Sequence, residues 1–408
     1  MAIVMKFGGS SVASSKKIME VAHYLKNSLS GSLSGPKIIA VVSAMGDETD
    51  DLIKLASEID ERPDPQEMDK LLAIGEIKTA ALLAIALKKI GIKTQSVGAE
   101  QIGLETTPNF GGAKIKTIKN FGLLKKNPEE ILIVPGFQGV AEGTADLTTL
   151  GRGGSDATAI AIAAALKAKK CEIFTDVDGV YAVDPRLVPS AKRFEKIGYD
   201  LMIAIAAVGA GVMMDRSVKI AQRFNIPIQV LLSPSMGISS GGTLISNSPP
   251  SFRDDIEITE NIIAIAVKKQ ISAITITNIG DTPGRAAKIF KFLKEINILD
   301  AVQGQAQKNS ASISIFVDHD GEKIAKIMAE NFGKSSVLYS DNLAGVTVVD
   351  QFMKETPGYF YSITDSLAGE NINIKMINSG QTSISVIVDM ADLEKTARIL
   401  AEKFKLTK

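Results

Sequence analysis

Across the first 245 residues, short apolar runs alternate with longer amphipathic stretches, a rhythm that few architectures accommodate. The runs Ala2–Phe7, Lys37–Val42, Ile131–Pro135, Cys171–Thr175 and Pro227–Leu231 are partly β-branched and end at Gly, Ser, Thr or Asp, which predicts buried strands. Ser14–Leu29, Glu67–Ile90, Ser155–Lys169 and Asp215–Phe224 lie between them with helical spacing. Such alternation predicts an α/β domain whose mainly parallel sheet is covered by helices on both faces. Ligands then bind beyond the carboxyl ends of the strands, where the unusual loops of this chain fall.

Beyond a linker-like Ser246-Asn-Ser-Pro-Pro-Ser251 the chain repeats itself. Asp281-Thr-Pro-Gly284 recurs as Glu355-Thr-Pro-Gly358, and Ile296-Asn-Ile298 as Ile372-Asn-Ile374, at offsets of 74 and 76 residues. The first copy reads strand (Ser272–Asn278), helix, strand (Ile298–Ala306), strand (Ser310–Val317), helix, strand (Ser335–Tyr339). The second, from Gly345–Asp350 to the helix Asp392–Phe404, lacks a fourth strand, and the apolar run Ile262–Val267 is expected to supply it. Two βαββαβ units follow, the first inserted into the second. The expected domains are therefore 1–248, then 269–340 (inserted), then 260–268 joined to 341–408.

Composition removes several function classes. Lys plus Arg and Asp plus Glu each number 46 in 408 residues, so no basic face is expected for nucleic acid. One Cys and two His (His23 and His319) leave no disulfide and no Cys/His metal site. No apolar run approaches the ~18 residues of a membrane span, and Lys6 with Gly8-Gly9 interrupts any signal-peptide core. A soluble cytoplasmic protein with no membrane partner is expected.

Three loops carry the chemistry. The first strand runs into Lys6-Phe-Gly-Gly-Ser-Ser11, where tandem glycines admit a ligand to the backbone and Lys6 offers a point charge to phosphate; a plain strand-to-helix turn with a surface Lys is the competing reading. The Walker A pattern is absent: Gly333-Lys334-Ser335 resembles its tail, but Met328 stands where Gly is required. Thr148-Thr-Leu-Gly-Arg-Gly-Gly-Ser-Asp156 sets Arg152 among three glycines, free to pair with a carboxylate or phosphate. Ser155 and Asp156 are placed to cap the helix that follows. In Thr175-Asp-Val-Asp-Gly-Val-Tyr-Ala-Val-Asp-Pro-Arg186, Asp176 and Asp178 suit an ion, a ribose or simple turns. Cys171 reads as a buried strand residue, not a nucleophile.

At these residues the chain resembles the aspartokinases of the amino acid kinase superfamily. Lys6-Phe-Gly-Gly-Ser-Ser-Val12, Val42-Ser-Ala-Met-Gly46, Gly136-Phe-Gln-Gly139, Leu150-Gly-Arg-Gly-Gly-Ser-Asp156 and Thr175-Asp-Val-Asp-Gly-Val-Tyr181 match its motifs in order, and the repeats look like its paired ACT domains. The resemblance implies a three-layer αβα kinase domain followed by two ferredoxin-like ACT domains. It implies phosphorylation of the L-aspartate side chain by ATP, with Mg²⁺ held mainly by the ATP phosphates and no metal site of the protein's own. That step leads toward lysine, threonine and methionine.

The resemblance assigns Lys6, Phe7, Gly8, Gly9 and Ser10 to the ATP phosphates, with Lys6 and Asp156 as the catalytic pair. Ser43, Thr49, Glu76, Phe137, Arg152, Gly153, Gly154 and Ser155 fall to the aspartate, Glu76 meeting its ammonium and Arg152 its α-carboxylate. Thr175, Asp176, Tyr181 and Arg186 fall to the nucleotide. Asp281, Gln303, Asn373 and Ile374 fall to an amino-acid effector, lysine or threonine or both. A homodimer or dimer of dimers is expected, because βαββαβ units leave sheet edges and an apolar face to cover. Four departures stand out: Gly211 where the family has Lys, Lys78 near Glu76, an acidic residue displaced to Asp300, and Asn378-Ser-Gly-Gln381 in place of an acidic run. Rival readings are a kinase of glutamate, acetylglutamate or UMP, and a weakly catalytic amino-acid sensor on a kinase scaffold.

Overall fold

In the computed structural model, the first strand becomes the middle of the molecule's largest sheet. The structure describes residues 2–30, 37–125, 130–209, 212–237, 241–247, 263–294, 296–307 and 310–408. The chain forms two units: Met1–Tyr181, Arg193–Ala207 and Gly211–Thr259 make the first, and Ala182–Lys192, Val208–Ala210 and Glu260–Lys408 the second. No helix among the described residues is long and apolar enough to cross a membrane.

The first unit is built on an eight-stranded sheet of β1 (Ala2–Phe7), β2 (Lys37–Val42), β3 (Thr94–Ser96), β6 (Ile131–Pro135), β9 (Cys171–Thr175), β10 (Lys196–Gly198), β11 (Ile228–Leu232) and β12 (Thr243–Ser246). Its order is β10-β12-β11-β9-β1-β2-β6-β3, parallel throughout except between β11 and β12. Four shorter strands, β4 (Leu104–Thr106), β5 (Ile115–Ile118), β7 (Gln138–Ala141) and β8 (Leu147–Thr149), form a second sheet ordered β5-β4-β7-β8. The helices are α1 (Ser15–Ser30), α2 (Glu48–Ile59), α3 (Pro65–Lys89), α4 (Ala99–Ile102), α5 (Phe121–Lys125), α6 (Gly154–Leu166), α7 (Tyr199–Ala207) and α8 (Asp215–Phe224).

All six residues of β2 are buried, as a strand covered on both faces requires. On one face α1 and α3 pack Ile18, Val21, Leu25, Leu83 and Leu87 against Met5, Phe7, Ile38, Ala40 and Ile133. Phe7 stacks on Phe174 with ring centroids 4.8 Å apart. The alanine-rich α6 packs on β1, its small side chains allowing close approach. Helix α3 begins as its sequence dictates: the Asp64 carboxylate accepts from the Gln66 and Glu67 N–H groups, Pro65 opens the first turn, and Lys88 and Lys89 close the last.

In the second unit, β13 (Ala264–Gly280), β14 (Asp300–Gln307), β15 (Ser310–Val317), β16 (Val337–Val349), β17 (Met376–Ser379) and β18 (Ser383–Asp389) form one sheet ordered β14-β15-β13-β16-β18-β17. Helices α9 (Arg285–Phe292), α10 (Gly321–Phe332), α11 (Tyr359–Gly369) and α12 (Leu393–Lys403) complete the unit. Of the run expected as a separate strand at 262–267, residues 264–267 are here the first part of β13 while Ile262 lies outside the described residues, and the strands expected at 335–339 and 345–350 are one strand, β16. Ala264–Lys268 pair with Val349–Gly345, and Ile271–Ile276 with Leu343–Val337. Gln270 and Asn342 adopt positive φ (58° and 60°) at the register shifts, so a bulge, not a turn, carries each strand onward.

Candidate active site

Lys6 is the penultimate residue of β1, level with Val41 of β2 and Ile173 of β9. Its ammonium lies 2.6 Å from Asp156 Oδ1, with both side chains almost wholly enclosed. A Cβ on Gly8 would stand 3.5 Å from Lys6 Nζ, so glycine there keeps room around the ammonium for an anion. The following turn is held by neighbouring strands: Gly8 N–H donates to Phe174 O, Ser43 N–H to Phe7 O, and Gly46 N–H to Gly9 O.

Asp156 stands in the first turn of α6, where a carboxylate is favoured by the helix dipole. Neither it nor Ser155 caps the helix, contrary to the sequence expectation. Gly153 occupies that place in a left-handed conformation (φ 68°), without a side-chain cap, and both polar side chains are left to line the cleft. A Cβ on Gly153 would also approach Met214 Cγ to 2.3 Å, so glycine is demanded twice.

The cleft encloses about 460 Å³. It gathers Lys6, Gly9, Ser43, Thr49, Glu76, Phe137, Arg152, Gly153, Gly154, Ser155 and Asp156, together with Asp50, which sequence reading passed over. Arg152 is exposed and has no ion-pair partner among the described residues. Glu76 reaches in from α3 and is 3% exposed. Its Oε1 accepts from the Ala44 N–H at 2.9 Å, while Oε2 is buried without a hydrogen-bond partner. Burial pushes its carboxyl up to about 7, against the opposing pull of the Ala44 N–H and Lys6. Lys78 does not reach Glu76; it pairs with Glu48 of α2. The cleft thus offers an almost enclosed cation, an open guanidinium and a carboxyl with one oxygen lacking a partner, which suits a small molecule bearing both carboxylate and ammonium beside a phosphate chain.

The comparisons with known proteins agree. The amino acid kinase family model matches residues 1–231, and an ACT domain model matches residues 346–404. The aspartokinase of Corynebacterium glutamicum is 39% identical over 99% of this chain and 96% of its own length, and that of Pseudomonas aeruginosa 38% over 99% and 97%. The chain belongs to the aspartokinases, within the amino acid kinase family. E. coli aspartokinase III, solved with aspartate and ADP, shares the fold at a TM-score of 0.75 over 99% of each chain, with 23% identity. The aspartate kinase of Synechocystis gives 0.55 with 30% identity, over all of this chain and 70% of that one.

Other sequence-assigned residues lie outside the cleft lining. Phe7 buries its ring in the core, leaving only its backbone for a ligand. Thr175 ends β9 and donates to Asp176; Tyr181 donates to Asp178, which also pairs with Arg193. Arg186 belongs to the second unit, where it pairs with Asp184. Ser10 accepts the Lys17 ammonium on its carbonyl. Gly211 lies outside the described residues. Cys171 is buried, and burial raises its thiol. In the second unit Asp281, Gln303 and Asn373 are exposed, and Gly284, not Asp281, stands at the N-cap of α9. Two departures from the family pattern meet: Asn378 donates to the Asp300 carboxylate. Among the described residues no group of three or more His, Cys, Asp or Glu is placed to hold a metal.

Glu76 makes the stability of the first unit pH-dependent. Its folded pKa exceeds the ordinary 4.5, so its contribution is complete below that value and lost as pH rises through about 7. Glu76→Gln removes the ionisation, and should stabilise the protein at pH 8 relative to wild type by on the order of 2–3 kcal/mol. Urea unfolding at pH 5 and pH 8 checks this; an offset that does not grow with pH contradicts it.

Proposed function

We propose that the chain transfers the γ-phosphoryl group of ATP to the side-chain carboxylate of L-aspartate. The observation that carries this is the pairing, in one cleft, of the enclosed Lys6–Asp156 ion pair with the unpaired Arg152 guanidinium. An aspartate carboxylate is already ionised near neutrality, so no general base is needed. One carboxylate oxygen bonds to the γ-phosphorus as the bond to the β–γ bridging oxygen breaks, releasing ADP and leaving 4-phospho-L-aspartate. Catalysis then consists of aligning two anions and screening their repulsion. Lys6 supplies that screening beside the glycine turn, and Asp156 aims its ammonium. Arg152 takes the α-carboxylate and Glu76 the ammonium, whose charge draws the Glu76 proton off. Mg²⁺ carried on the phosphates would neutralise further charge. Thr175, Asp176, Tyr181 and Arg186 remain assigned to the nucleotide. A cytoplasmic location is proposed with this activity, in keeping with the absence of a membrane-crossing helix among the described residues.

The second unit is read as regulatory, with domain boundaries at 269–340 and at 260–268 plus 341–408, after a kinase domain of 1–248. Each half of its sheet has the ferredoxin-like strand order once β13 and β16 are shared between the halves. E. coli aspartokinase III has been solved with lysine and aspartate. For this chain lysine or threonine is the proposed effector, taken by Asp281, Gln303, Asn373 and Ile374. Asp300, engaged by Asn378, leaves Asp281 as the carboxylate for the effector's ammonium. The outermost strands β14 and β17 expose Val302 (39%) and Ile377 (37%), which supports a homodimer or dimer of dimers.

Steady-state ADP release tests the site. Lys6→Ala should lower kcat by ~10²–10³-fold, because it removes a contact that strengthens in the transition state. Arg152→Ala should mainly raise KM for aspartate, and near-normal turnover in Lys6→Ala overturns the assignment. Millimolar lysine or threonine, singly or together, should depress wild-type turnover and act less on Asp281→Ala; indifference to every combination refutes the effector site. Light scattering at micromolar concentration should return a multiple of the 43.3 kDa chain mass, and an active monomer excludes the dimer.

A further inference from the structure

The loop that carries Arg152 is held by two charged side chains that never enter the cleft lining. Asp69, on α3, is fully buried and lies one turn of the buried stripe before Leu72 and Ala73. Its carboxylate accepts from the Gly111 N–H at 2.9 and 3.0 Å, from the Thr149 N–H at 2.7 Å and from the Thr149 hydroxyl at 2.6 Å. These donors are all neutral, an arrangement that fixes two chain segments at once. From the opposite side Arg216 of α8 donates to Leu150 O and Ala113 O, each at 2.8 Å. Ala113 N–H donates to Thr149 O, closing the ladder between the two segments. The anionic side chain collects N–H groups, the cationic one collects carbonyls, and the next residues along the chain are Gly151 and Arg152.

We infer that Asp69 is a positioning residue for recognition of the substrate's α-carboxylate. It acts through Thr149 and Gly111, with Arg216 as its counterpart, and sets where the Arg152 guanidinium stands. Three glycines leave that loop little stiffness of its own, so its geometry is imported from Asp69 and Arg216. Removing the carboxylate frees the loop and weakens capture of the acidic substrate, while Lys6, Asp156 and the ATP turn on β1 stay in place.

The inference rests on the aspartate reading above, so the test has two arms. In kinetics, Asp69→Asn should raise KM for L-aspartate about tenfold or more, with KM for ATP and kcat within about threefold. Thr149→Val, which deletes one of the four bonds and keeps the side-chain shape, should shift KM for aspartate the same way by a smaller factor. In amide hydrogen exchange without substrate, Asp69→Asn should accelerate exchange at residues 108–114 and 148–154 and leave β1 and β2 protected. Unchanged exchange in those segments, acceleration spread evenly over the chain, or a fall in kcat with KM for aspartate unmoved overturns the inference. Wild type lacking aspartate-dependent ADP release would instead overturn the proposed function, and the exchange arm would still decide whether Asp69 holds the loop.

Discussion

The ion pair between Lys6 and Asp156 is the contact on which the site depends. Two charges almost withdrawn from water are costly to keep, and removing either one from such a pair typically costs ~3–5 kcal/mol because the other is left uncompensated. Here the expense is met by placement. Asp156 sits in the first turn of α6, and Lys6 projects from the end of the central strand between two parallel neighbours. The carboxyl end of a strand in a parallel sheet is where such folds bind ligands, and here the start of α6 meets it there.

Around that pair the cleft divides its charges by mobility. Asp156 and Glu76 are buried, Lys6 is almost enclosed, and all three are oriented by strand or helix, whereas Arg152 rides on glycines and is open to solvent. The fixed charges suit the step at which phosphoryl charge moves, where preorganised groups pay no reorganisation cost. The open guanidinium suits entry and capture of substrate. Glu76, half-titrated near neutrality and lacking one hydrogen-bond partner, gains most from an arriving ammonium group.

Much of this was legible in the residues alone. Ala2–Phe7, Lys37–Val42, Ile131–Pro135 and Cys171–Thr175 are strands with the ends their apolar runs mark, because a sheet covered on both faces demands apolar residues in succession. Thr94–Ser96 and Lys196–Gly198 were not legible, since three-residue strands owe their pairing to neighbours. The fusion of two expected strands into β13 was hidden because the polar Lys268-Lys-Gln270 interrupts the apolar runs, and only the partner β16 shows that the chain passes through it. Within the site, glycine-flanked Arg152 and Lys6 announced themselves. Asp69 and Arg216 did not, because their partners are backbone groups and one hydroxyl 42 to 103 residues away in sequence. The one available hint was an acid at the buried phase of α3, seven residues before Glu76.

The central claim is that this charge arrangement makes an acyl phosphate from aspartate, and the product itself is the most direct witness. Phosphorus NMR of the protein with ATP, Mg²⁺ and L-aspartate should show ADP and one acyl-phosphate resonance growing together, with neither appearing when aspartate is omitted. ADP without an acyl phosphate, or product formed with glutamate, acetylglutamate or UMP but not with aspartate, would contradict the account.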